Sequence, residues 1–100
     1  MNHQVLTITD IEKIVRPLAE KYHISAVYLF GSYARGEADS ESDLDFIVIG
    51  GEGFKRTRVF AFAEDLREAF DKSVDVFEIH EINQESAFYQ SILRDRRKVA

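Results

Sequence analysis

The 100-residue chain has no cysteine, a single proline and only five glycines, and its 13 lysines and arginines are outnumbered by 18 aspartates and glutamates. Without cysteine there is no disulfide framework and no thiolate metal site, which suits a reducing compartment and leads to the expectation of a cytoplasmic protein. No stretch approaches the 18 apolar residues of a membrane span, and the start Met-Asn-His-Gln-Val lacks the basic and apolar regions of a signal peptide, so no membrane association is expected. The net charge of -5 argues against stable nucleic-acid binding, because affinity for a phosphate backbone is mostly cationic neutralisation. There is no repeat, linker or low-complexity segment, and residues 1–100 are expected to form a single domain.

Function is legible in one stretch. Gly31-Ser32-Tyr33-Ala34-Arg35-Gly36 and Ser42-Asp43-Leu44-Asp45 together make the pattern G-S-x3-G-x5-S-D-x-D. With each residue type near glycine's share of average composition, chance assembly at a given start is roughly one in ten million. A short apolar run, Ala26 to Phe30, stops at Gly31, and a second, Leu44 to Ile49, stops at Gly50 and Gly51. Both read as strands, so the motif leaves one strand and enters the next.

Asp43 and Asp45 stand two apart at the mouth of the second strand, where side chains two apart share a side. Such a pair can share Mg²⁺, which takes oxygen ligands from one or two carboxylates, phosphates and water. A two-metal site clamps the attacking and leaving oxygens of an in-line displacement and calls for a third carboxylate. Asp75, in the apolar context Ser73-Val74-Asp75-Val76-Phe77, is the candidate, because an unpaired acid buried there would be costly. If its strand runs parallel to the second, Asp75 comes to lie beside the pair; otherwise it is a strand-end acid on the outer face. Gly31 permits the positive φ and close backbone approach of a phosphate-facing turn, and Ser32 can cap a short helix there. Arg35 either reaches the same phosphates or faces solvent, and Ser42 completes the expected nucleotide-binding set. Taken singly, a D-x-D or a G-S commonly marks an ordinary solvated turn; Glu37, Asp39 and Glu41 read as an exposed acidic loop.

These residues resemble the nucleotidyltransferase superfamily that includes DNA polymerase beta, and most closely its minimal nucleotidyltransferase (MNT) branch, through Gly31 to Glu37, Ser42 to Asp45 and Val74 to Val76. The resemblance implies that Gly31 and Ser32 hold the nucleotide phosphates. It also implies that Asp43, Asp45 and Asp75 bind two Mg²⁺ ions, or Mn²⁺ in their place, with Asp75 as base. It implies an antitoxin of HEPN/MNT toxin-antitoxin modules that transfers AMP from ATP to a tyrosine of a HEPN toxin, neutralises the toxin by binding, or both. A small-molecule, antibiotic-type nucleotidyltransferase is the weaker alternative, since the chain has no candidate second domain for such an acceptor. The acceptor surface is therefore expected to be shallow or supplied by another protein.

The frame is expected to be α/β (α+β), a small mixed β-sheet with helices packed on it in the order α-β-α-β-α-β-α. Thr9 and Glu12 suggest a capping box opening a helix with apolar residues at Ile11, Ile14, Val15, Leu18, Ala19 and Tyr22, in which Pro17 should bend or weaken the helix. A second helix spans about Thr57 to Phe70, with Val59, Phe62, Ala63, Leu66 and Phe70 on one side, and Asn83 is expected to cap a last helix ending near Arg96. Lys55/Arg56/Arg58 and Arg94/Arg96/Arg97/Lys98 read as solvated helix ends. His3, His23 and His80 read as surface or capping residues. Phe54, Phe60, Tyr89 and Tyr33 are the aromatics hardest to place in one small core; they are either scattered rings or a surface for a homo- or hetero-oligomer.

Overall fold

The computed structural model describes residues 4–100; His3 lies outside them. The chain builds helix α1 (Ile8–Lys21), strand β1 (Ala26–Phe30), the short helix α2 (Gly31–Arg35), strand β2 (Leu44–Ile49), helix α3 (Arg56–Phe70), strand β3 (Val74–Glu78), a 3₁₀ turn (Ile79–Glu81), helix α4 (Ala87–Asp95) and strand β4 (Arg97–Lys98). The four strands form one mixed sheet in the order β3-β2-β1-β4. β1 is antiparallel to β2 and β4, while β2 and β3 are parallel, with α3 as the connection that a parallel pair requires. The expected fold class and the order α-β-α-β-α-β-α hold; the 3₁₀ turn before α4 and strand β4 are additions.

Period-two alternation divides the strand side chains between two cores. Val27, Leu29, Leu44, Phe46, Val48 and Val74 pack with the apolar stripes of α1 and α3. Those stripes are the expected ones: Ile11, Val15 and Ala19 from α1, and Val59, Phe62, Leu66 and Phe70 from α3. Phe30 and Ile47 point the other way and meet Ile82 and Ile92 in a smaller cluster beneath α4, with Tyr28, Phe77 and Tyr89 at its margin. Lys21 at the end of α1 and Tyr22, which follows it, both donate to Asp65 of α3, at 3.0 and 2.6 Å, and tie the two helices together.

Several local expectations are corrected. The capping box belongs to Thr7 and Asp10, two residues before Thr9 and Glu12: Thr7 Oγ1 accepts from Asp10 N, and Asp10 Oδ2 accepts from Thr7 N, both at 3.1 Å. Both threonines have an acid three residues on, and the earlier start brings Ile8 into the helix and against the main core. α1 runs through exposed Pro17, and exposed His23 follows its end with φ 55°, its N–H donating to Glu20 O. Ser86, rather than Asn83, caps α4 by accepting from Tyr89 N; Asn83 instead closes the preceding turn, accepting from Glu85 N and Ser86.

Arg97 and Lys98 are strand residues paired with Leu29 and Tyr28, not a helix end, and burial of Val99 beside Val27 explains why the chain extends there. Lys55 and Arg56 sit at the N-terminal end of α3, where the helix dipole does not favour them; Arg56 is held instead by Glu81 at 3.3 Å. His80 is exposed and pairs with Glu78. Of the difficult aromatics, Tyr33 is only 4% exposed and belongs to the main core, Phe54 packs against backbone at Gly50, Tyr89 flanks the smaller cluster, and Phe60 alone is largely exposed, at 75%. Among the described residues no helix is long and apolar enough to cross a membrane.

Candidate active site at the mouths of β1, β2 and β3

The expected site residues converge at one end of the sheet. In the parallel β2–β3 ladder Asp45 stands opposite Asp75, and in the antiparallel β1–β2 ladder it stands opposite Phe30, the residue before Gly31. Alternation places Asp45 with Ile47, and Asp75 with Phe77, on the α4 face. Asp43 precedes β2 and is exposed.

Gly31 enters α2 with φ +74°, a conformation that costs a side-chain-bearing residue. A Cβ at this position would lie 2.5 Å from Asp45 Oδ2. The glycine therefore meets the sequence expectation in conformation and also makes room for a carboxylate of the site. Ser32 is not the cap of α2: Phe30 holds that position and its side chain makes no capping bond, so Ser32 lies within the first turn, beside Gly31. Ser42 is engaged in the loop before β2. Its hydroxyl accepts from Asp39 N at 2.9 Å and approaches Asp39 Oδ1 at 3.2 Å, while Asp39 Oδ1 also accepts from Glu41 N. These bonds shape the turn that delivers Asp43.

Burial raises the Asp45 carboxyl to about 6, and the nearby Asp75 and Asp43 push it in the same direction, with Arg35 opposing them. The three acids thus share one field, and a cation would relieve their repulsion. Asp75 itself is exposed on the edge strand β3, which corrects the premise that it needs a partner because it is buried. Arg35 lies in the same cleft as Gly31, Asp45 and Asp75, bonded to Glu37 and to Asp95 of α4, each at 3.1 Å. Glu37 is therefore more than part of an acidic loop, and Asp95 is a site neighbour that sequence reasoning missed; nothing in Arg94-Asp95-Arg96 marks it.

Two depressions meet at Asp75. One, of about 380 Å³, runs between Gly31 and α4 over Phe30, Phe77 and Phe88. The other, of about 480 Å³, is bordered by Asp43, Arg67, Lys72 and Ser73. The surface beside the acids is thus not featureless, and Lys72, only 7% exposed, is a second neighbour that the sequence did not single out.

A family model for polymerase beta nucleotidyltransferases matches residues 12–99, a span that contains every one of these residues. The chain belongs to this family. A relative from Methanocaldococcus jannaschii, whose name assigns it provisionally as a protein adenylyltransferase, is 32% identical over 78 residues, covering 78% of this chain and 84% of its own. A toxin-antitoxin crystal structure with AMP-PNP has the same fold, with a TM-score of 0.75, 22% identity and coverage of 89% of this chain and 72% of that one. So does the complex of a tri-AMPylated Shewanella oneidensis HEPN toxin with its MNT antitoxin, at a TM-score of 0.62, 22% identity and coverage of 93% and 68%.

Members of this nucleotidyltransferase family act on nucleoside triphosphates with divalent metal. The donor set here fits a hard divalent cation in kind, being three carboxylates at adjacent strand mouths, two of which raise the charge cost of the third, Asp45. Among the described residues no three acid or imidazole side chains already converge as a ligand cluster. Asp43 and Asp75 are both exposed, and Asp45 is half-buried between their strand positions.

Proposed function

We propose that this nucleotidyltransferase moves AMP from ATP onto a tyrosine hydroxyl of a partner HEPN toxin, in the cytoplasm, and is that toxin's antitoxin. The observation that carries the reading is the register of Asp45 with Asp75 beneath Gly31, with Asp43 two residues before Asp45. It sets two of the acids in one cleft with Gly31, while Asp43 borders the depression that adjoins it at Asp75. The M. jannaschii relative's name and the two toxin-antitoxin complexes support the acceptor class.

In this reading Asp43, Asp45 and Asp75 would hold Mg²⁺ or Mn²⁺, which supplies Lewis-acid charge at the transferring phosphate. Gly31 and Ser32 steady the terminal phosphates, with Ser42 shaping the loop that presents Asp43. Arg35, already held by Glu37 and Asp95, contributes positive charge beside them. Asp75 orients the acceptor hydroxyl and takes its proton. The bond from that oxygen to the α-phosphorus forms as the α–β bridging bond breaks, and pyrophosphate leaves.

The test is incubation of the protein with Mg²⁺, labelled ATP and the HEPN protein encoded beside it. Label should appear on the partner with the wild type and be absent with the Asp43→Asn/Asp45→Asn double variant; undiminished transfer by that variant would overturn the assignment. Toxin neutralisation by the same variant separates catalysis from inhibition by binding alone.

A further inference from the structure

The 380 Å³ cleft changes character along its length. Gly31, Asp45 and Asp75 line its polar part, and Phe30, which precedes Gly31 and stands opposite Asp45, leads from them onto a floor completed by Phe77 and Phe88. The Phe88 ring stands edge-on to both others, at 5.8 Å and 75° to each, and is 45% exposed. On α4 the lining passes from Phe88 through Ser91 to Asp95, about 10 Å at 1.5 Å per residue, so the helix borders the cleft from its aromatic floor to the Asp95–Arg35 pair.

We propose that the aromatic end of this cleft seats the base of the nucleoside triphosphate, with Phe88 as its stacking residue. The inference rests on the reading above that Gly31 and Ser32 hold the phosphates. A ligand anchored by its phosphates at Gly31 must lay its nucleoside along an adjoining surface, and the phenylalanine floor borders the same depression. An aromatic face also suits a base in general, since every base has a π-face. In-line displacement places the acceptor opposite the leaving pyrophosphate. The depression on the other side of Asp75, bordered by Asp43, Lys72 and Ser73, contains no residue of the phosphate turn and is open to that acceptor.

Calorimetric titration of the protein with Mg-ATP and, separately, with magnesium tripolyphosphate tests this without any acceptor. Phe88→Ala should weaken ATP binding roughly five- to hundred-fold, the span of one base-aromatic stack, and leave tripolyphosphate unchanged. Phe88→Tyr should restore ATP affinity, and Phe60→Ala, an exposed ring on α3, should leave both ligands as in the wild type. ATP binding unchanged in Phe88→Ala would overturn the assignment, as would an equal loss for both ligands. In transfer assays a raised KM for the acceptor alone would assign the cleft to the acceptor ring and overturn it as well. Failure of the HEPN protein to accept label would count against the proposed acceptor but would leave these binding results standing.

Discussion

On the α1/α3 side of the sheet, Phe46, Phe62 and Phe70 lie in a continuous core, and Phe46 and Phe70 stack at 6.2 Å. On the α4 side the buried set shrinks to Phe30, Ile47, Ile82 and Ile92, and Phe88 stays half open. The first face is covered by two helices of 14 and 15 residues and the second by one of nine. Apolar burial is the main favourable term in folding, so the thick face carries most of the stability. The thin face leaves the strand mouths uncovered, and there the chain tolerates an arrangement that works against folding: three acids together, one of them half-buried. Cost concentrated where chemistry is done and offset elsewhere is the usual pattern of functional sites.

This contrast is breakable, and the sharpest break lies on the thin face. Asp43→Asn/Asp45→Asn should abolish transfer of label from ATP while leaving the circular dichroism spectrum of the folded protein unchanged, because neither residue belongs to a core. Next in size, Phe62→Ala should cost about 3 to 5 kcal/mol in denaturant unfolding, whereas Ile92→Ala beneath α4 should cost only about 2, because the adjoining cleft lets its site relax. Near-equal losses would mean that the two faces share the load. Gly31→Ala should lose about 1 to 2 kcal/mol for its left-handed φ. It should also reduce transfer, since the new methyl displaces the Asp45 carboxylate that lies 2.5 Å from its position.

The smallest effect is electrostatic. The Asp45 carboxyl titrates near 6 in the folded protein against 3.8 as the ordinary value. Between those values the folded state keeps a proton that the unfolded chain has released, so stability should fall as pH rises from about 4 to about 7. With solvent screening of a half-buried group, the loss is about 1 to 2 kcal/mol. Asp45→Asn, free of that penalty, should melt higher than the wild type at pH 7.5 without added divalent metal, with the difference vanishing toward pH 4. A lower melting temperature for the variant at pH 7.5 would show that the site is not under electrostatic strain.

Much of this organisation is legible in the residues alone. The stripes of α1 and α3 and the β-forming runs at Ala26 to Phe30 and Leu44 to Ile49 are periodic, and periodicity survives without tertiary information. The caps misled because Thr7 and Thr9 present similar signals, and only packing of Ile8 selects between them. β4 was missed because a two-residue pairing has no period to detect; it exists through Val99 and Val27. Ser42 joins the expected nucleotide set through the motif and Arg35 through proximity in sequence, whereas their contacts, Asp39 for one and Glu37 and Asp95 for the other, are matters of folding.

Residue type and spacing at Gly31, Asp43, Asp45 and Asp75 set the donors and the turn on which the proposed chemistry rests. Tertiary structure decided what those residues face. The parallel register brings Asp75 to Asp45, and the alternation of β2 and β3 turns both toward α4 rather than toward the thick core. A one-residue slip in either strand would bury the acids under α3, so a long-range pairing, invisible in the local sequence, is what opens the cleft onto Phe88.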